Sequence, residues 1–71
     1  MTGEVYVIIR QIEYQMPTLL GTAYLCLDDA ATAITEIEPG AERIRNTHGR
    51  CYRGRRCEYR IERLQLKSPE D

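Results

Sequence analysis

Four side chains in this sequence are of the types that hold metals or run nucleophilic chemistry: Cys26, His48, Cys51 and Cys57. His48, Cys51 and Cys57 read H-x2-C-x5-C, and Cys26 would complete four soft ligands for zinc. The C-x2-C knuckle of structural zinc sites is missing, so no metal is assigned. A hairpin turning at Gly54 would set Cys51 and Cys57 nearly opposite, as a cross-strand disulfide requires. Free thiols are the simplest reading, with Cys26 as a small buried residue. Nucleophilic catalysis needs a nucleophile, a base and an orienting group held together. His48 is the single His, Ser68 is the single Ser, and His48 falls in a turn sequence. Asp28 and Asp29 are neighbours on a helical segment and point apart, and no phosphate-cradling glycine loop precedes them. The expectation is a protein with no catalytic residues and no cofactor.

Arginine is the other chemistry-bearing type. Nine of the ten cations are Arg, whose planar fork suits phosphate and carboxylate partners. The net charge of −1 conceals a split. Residues 1–42 hold one cation, Arg10, against seven anions, a net −6. Residues 43–71 hold nine cations against four anions, a net +5. The stretch 43–63 interleaves Arg43, Arg45, Arg50, Arg53, Arg55, Arg56, Arg60 and Arg63 with Tyr52 and Tyr59. That combination gives an electrostatic footprint with possible stacking platforms for nucleic acid. The competing reading is internal pairing of the two halves across a small sheet.

These residues must be positioned by very little protein. Seventy-one residues make one domain, which buries about 60% of the surface its unfolded chain exposes. Apolar types at 42% and charged types at 30% give a globular profile, and with no Trp or Phe the core rests on Leu, Ile, Val and Tyr. No signal peptide or membrane-length apolar run is present, and the odd cysteine count favours a reducing compartment, so a cytoplasmic protein is expected.

Glu4 to Ile12 reads as a strand, with Val5, Val7 and Ile9 on one face and Tyr6 and Ile8 on the other. Gln11 to Thr18 ends in the loop signal Met16-Pro17. Leu19 to Leu25 is a second strand, with Gly21 at a bulge or close backbone approach. Leu27, Ala30, Ala31, Ile34 and Ile37 form the stripe of an amphipathic helix, capped by Cys26 or Asp28 and stopped by Glu38-Pro39-Gly40. Asp28 and Asp29 suit its first turn. Ala41 to Arg45 is a short strand, Asn46 to Gly49 a turn, and Arg50 to Ile61 a hairpin about Gly54. Cys57, Tyr59 and Ile61 share a face, while Leu64 and Leu66 alternate out of phase, which a bulge near Glu62-Arg63 would reconcile.

The expected fold is α+β: an antiparallel sheet of four to five strands with one helix on one face, in the order β-β-α-β-β-β. A single domain spans 1–67, and 68–71 is a disordered tail. The second sheet face, if it carries Tyr6, Ile8 and Tyr24, is apolar enough to form a partner or homodimer contact, unless the hairpin curls over it.

Val5-Tyr6-Val7, Tyr14, Leu19-Leu20-Gly21, the segment Ala30–Ile34, and Tyr59-Arg60-Ile61-Glu62 with Leu64 and Leu66 resemble a family of short bacterial and phage proteins of unknown function. Members of that family have a Val-Tyr-Val strand, a Leu-Leu-Gly strand, an Ala- and Glu-rich helix and a closing Tyr-x-Ile strand. The chain departs from them in Cys26, where a small hydroxyl residue usually caps the helix, and in its arginine-rich hairpin. Its size and element order are also similar to those of small phage-encoded inhibitors of bacterial defence nucleases.

Two functions are therefore expected in order. The first is a non-catalytic protein-binding module from a phage or mobile element, inhibiting a host nuclease or defence complex. Its acidic helix face (Asp28, Asp29, Glu36) would occupy a site meant for phosphates, and its basic hairpin (Arg50, Tyr52, Arg53, Arg55, Arg56, Arg60) would grip an acidic patch. The second is a small nucleic-acid-binding protein using the arginine-rich hairpin 43–63.

Overall fold

The computed structural model describes residues 2–67, so the expected tail at 68–71 lies outside the described residues. The chain runs β1 (Thr2–Ile12), β2 (Thr18–Tyr24), α1 (Leu27–Ile37), β3 (Glu42–Arg43), β4 (Cys51–Arg53) and β5 (Cys57–Lys67). The strands form one antiparallel sheet in the order β2-β1-β5-β4-β3, with α1 on one face. This is an α+β fold in the expected element order.

β1 and β5 are the spine. They pair without interruption from Thr2 opposite Lys67 to Ile12 opposite Cys57. The expected bulge at Glu62-Arg63 is therefore absent. β5 changes its apolar face instead: Tyr59 and Ile61 point to the helix, and Leu64 lies on the far side opposite Val5. The helix covers only part of an 11-residue strand, so apolar residues beyond its reach gain nothing by facing it. The irregularity lies in the β1–β2 pairing, where Val7 faces Ala23 but Ile9 faces Leu19. Leu20, Gly21 and Thr22 thus span the single residue Ile8, at the expected glycine. A Cβ on Gly21 would meet open space, so the bulge and not a close approach explains that site.

The face assignment reverses the expectation. Tyr6, Ile8 and Tyr24 lie on the helix side, while Val5, Val7 and Ile9 lie on the open side with Leu19, Ala23 and Leu64. A strand apolar on both faces does not encode which one is covered. The connector Leu25-Cys26 decides it, because the chain turns straight from Tyr24 into Leu27, and both pack on the core with Leu20.

The core consists of Ile8, Ala30, Ala33, Ile34, Tyr52, Tyr59 and Ile61. Ile8, Ile34 and Ile61 are essentially fully buried, worth about 1.5–3 kcal/mol each. The helix stripe is rotated from that expected: Ala33 is buried and Ile37 is half exposed. At the helix end, Glu38 and not Ile37 reaches the sheet. Cys26 is the N-cap, with no side-chain hydrogen bond to the helix, and it is exposed rather than buried.

The third strand is shorter than expected, because Ile44 leaves the sheet after one further bond, its N–H to the Cys51 carbonyl. Asn46, His48 and Gly49 then adopt left-handed backbone, and Thr47 Oγ1 donates to the Ile44 carbonyl at 2.7 Å. That is the expected turn.

Candidate functional site

The end of the sheet where β1 runs out beside the β4–β5 turn holds the most concentrated chemistry. Ile12 is paired with Cys57, so Glu13 leaves the sheet next to the turn Gly54-Arg55-Arg56. A cleft of about 360 Å³ opens between them, lined by Gln11, Glu13, Arg53, Arg55, Arg56 and Glu58, among others. Beyond Glu13 the chain exposes Tyr14 at 97% and Met16 at 85%. Tyr14 sits at φ 62°, a backbone conformation that a bulky side chain rarely adopts. The loop is stitched shut by Gln15 N–H to the Ile12 carbonyl at 3.0 Å, and Gln11 Nε2 donates to both Ile12 and Gln15 carbonyls. An exposed tyrosine and methionine are thus held in the loop that follows Glu13, at the sheet end whose cleft gathers three arginines. Tyr, Met and Arg are the types enriched at protein interfaces.

The other side of the turn is occupied from within. Glu38, the residue that ends α1, places one carboxylate oxygen 2.6 Å from the Arg55 N–H, which donates to it. Its other oxygen accepts from Tyr59 Oη at 3.2 Å and from Cys57 Sγ at 3.9 Å. An ideal Cβ on Gly54 would lie within the space of this carboxylate, 2.7 Å from Cδ. Glycine at 54 therefore admits Glu38, and Glu38 ties the helix end to the turn that presents the arginines. Burial raises the Tyr59 phenol far above its usual pKa near 10, and Cys57 and Glu38 add to the effect.

The expected site residues are distributed unevenly. Arg53, Arg55 and Arg56 come together at the cleft. Arg60 lies on the open sheet face, where Nε contacts Glu62 at 2.6 Å. Arg50 is exposed, and its carbonyl accepts from the Ile61 N–H. Tyr52 corrects the expectation: only 8% of it is exposed and it packs in the core, as does Tyr59, so neither ring can stack on a base. Both fall on the helix-facing side of their strands, opposite each other. Asp28 and Asp29 lie in the first turn of α1 and Glu36 in the last, roughly 10–12 Å along the axis at 1.5 Å per residue. They are exposed but form no single cluster with the cleft.

Internal pairing does not absorb the arginines. Among the described residues the ion pairs are Arg60–Glu62 and a long Arg63–Glu4 contact of 3.9 Å. Arg53, Arg55 and Arg56 take part in neither. Arg10 lies on the helix side between Thr18 and Tyr59, with its Nε buried and no hydrogen-bond partner.

All three cysteines are free. Cys51 shares the open face with Arg60, while Cys57 belongs to the helix side, so the two cannot form the cross-strand disulfide considered above. Among the described residues no group of three or more His, Cys, Asp or Glu converges as metal ligands. No helix among them is long and apolar enough to cross a membrane.

Sequence reasoning missed Tyr14 and Met16 by reading 11–18 as a polar connection. Two large apolar side chains beside a proline in so short a loop were the available signal. Compared with known protein families, curated proteins and solved structures, the chain matches none.

Proposed function

We propose that this chain is a non-catalytic protein-binding module whose partner-facing site is the sheet end formed by the Tyr14–Met16 loop and the Arg53–Arg56 turn. The observation that carries this reading is an almost fully exposed tyrosine, held in left-handed backbone directly after Glu13, whose cleft gathers three arginines outside the ion pairs described above. The ring and the thioether supply apolar anchors, and the guanidinium groups supply forked donors for carboxylates on an acidic partner surface. Glu13 and Glu58 in the same cleft would reject surfaces that are merely anionic. The resemblance to short bacterial and phage proteins suggests the class of partner: a host nuclease or defence complex, inhibited by covering a charged surface. The arginine end then makes the main contact, and the acidic helix residues act at a distance from it.

Affinity capture from bacterial lysate tests the proposal. A protein retained by the wild type should be lost with both Tyr14→Ala/Met16→Ala and Arg55→Glu/Arg56→Glu. Retention that is equal across all three baits, or absent from all, would overturn it.

Direct nucleic-acid binding is the second reading, favoured by Tyr14 as a stacking ring near the arginines. Glu13 and Glu58 in the cleft oppose it. If it holds, affinity for duplex DNA falls by roughly 0.9 log units per phosphate contact per log unit of salt. No binding at low salt removes it.

A further inference from the structure

Among the described residues no element covers the sheet face opposite α1, where Val7 alone is buried at 7% exposure, and the side chains of that face are arranged to fit a copy of themselves. Along β5 it carries Glu58, Arg60, Glu62 and Leu64; beside them on β1 lie Gln11, Ile9, Val7 and Val5. At one end Leu64 stands 46% exposed. At the other end the face is dished into a groove of about 300 Å³, lined by Ile9, Gln11, Pro17, Cys51, Glu58 and Arg60. A line drawn across the strands between Arg60 and Glu62 has Leu64 on one side and Glu58, at the floor of the groove, the same number of residues away on the other.

We infer that this face is an isologous dimer interface, in which Leu64 of each copy lies against the Gln11–Glu58 end of the other's groove and Arg60 meets Glu62 across the two-fold axis. An axis lying in the interface along that line lays β5 antiparallel on the copy's β5. It superposes the Leu64 row on the Glu58 row and the Glu62 row on the Arg60 row. Each contact then occurs twice, as a two-fold requires. Val7 lies over the copy's Ile9, and the surface newly buried is that of Val5, Ile9 and Leu64, since Val7 is covered within one chain. Arg60 contacts its own Glu62 through Nε alone, and its two terminal nitrogens have donors left for a second carboxylate.

The area suits a weak dimer. The two 11-residue spine strands are each about 36 Å long at 3.3 Å per residue. With the seven-residue β2 beside them at about 4.8 Å spacing they cover roughly 450 Å² of flat sheet before side-chain relief is counted. A standard interface takes about 800 Å² from each partner. Two sheets packed in this way form a sandwich with α1 on the outside of each layer. Gln11 and Glu58 line both this groove and the arginine cleft, but Arg60, Glu62 and Leu64 do not line the cleft, so substitutions there test the dimer apart from the protein-binding reading above.

Sedimentation equilibrium of the full chain over a wide concentration range is the test, with circular dichroism confirming that each variant is folded. The mass should rise from 8.2 kDa to twice that value. Leu64→Glu and Arg60→Glu should each weaken dimerisation about ten-fold or more. Combining Arg60→Glu with Glu62→Arg should restore it to within about three-fold of wild type, because an isologous pair survives a swap. A constant 8.2 kDa species or a dimer unaffected by these substitutions would overturn the inference.

Discussion

Glu38 and Gly54 act as one device, although sixteen residues separate them. Moving the carboxylate aside is the simplest way to admit a Cβ at 54, and that breaks its bonds to Arg55 and Tyr59. Gly54→Ala and Glu38→Ala should therefore each cost about 1–3 kcal/mol. In a double-mutant cycle measured by urea denaturation, the pair should cost little more than either alone, since the first substitution has already spent the interaction. Tyr59 makes a separate prediction at high pH. Its folded pKa is raised, so the native state keeps a proton that the unfolded chain releases near pH 10. The contribution is whole below that pH and is lost as the pH climbs toward the folded value, at up to about 1.4 kcal/mol per unit. Denaturation midpoints between pH 8 and 11 should fall for the wild type. Tyr59→Phe should flatten that part of the decline, at the cost of the bond to Glu38.

Among the elements, α1 is the weakest formed for its position. Its N-cap is Cys26, whose side chain makes no hydrogen bond to the first turn. Cys26→Ser supplies an acceptor for one of the free N–H groups and should stabilise the protein by about 1 kcal/mol, read as a higher denaturation midpoint. The helix also shows how far the sequence could be read. Its start, its stop at Glu38-Pro39-Gly40 and the hairpin about Gly54 were legible, because caps, breakers and turn glycines act within a few residues. The covered face of β1 was not, because Val5–Ile9 is apolar on both sides and only the connection to Leu27 chooses between them. The loss of phase at Leu64 was visible, but its meaning depended on how far along β5 the helix reaches. At the candidate site, the arginines could be read by composition. The burial of Tyr52 and the Glu38–Arg55 tie could not, since both depend on segments brought together only by the sheet.

The molecule as a whole is polarised from one sheet edge to the other. β2 carries no charge and β1 one of each sign, while three anions lie on α1 and the arginines gather on β3, β4, β5 and their connections, so the charge grows from the β2 edge toward the β3 edge. Its long axis of 43 Å follows from a spine of two 11-residue strands in a chain this small. That spine joins the earliest and latest strands, and Ile8 and Ile61 meet at its centre. A chain ending at Arg56 would leave β1 with only β2 beside it and the core without Tyr59 and Ile61. Such a fragment should give the far-ultraviolet circular dichroism of an unfolded chain.

The same pairing sets the timing of birth on a ribosome. β1 leaves the exit tunnel early, and its central partner is among the last segments to follow. With 36 residues between Tyr24 and Ile61 still to be made after the first hairpin is complete, the nascent chain waits with an apolar strand open on both faces and one long edge. Fold closure therefore waits on β5, and the interval before it is when a chaperone, or a neighbouring nascent copy, has its best access to β1.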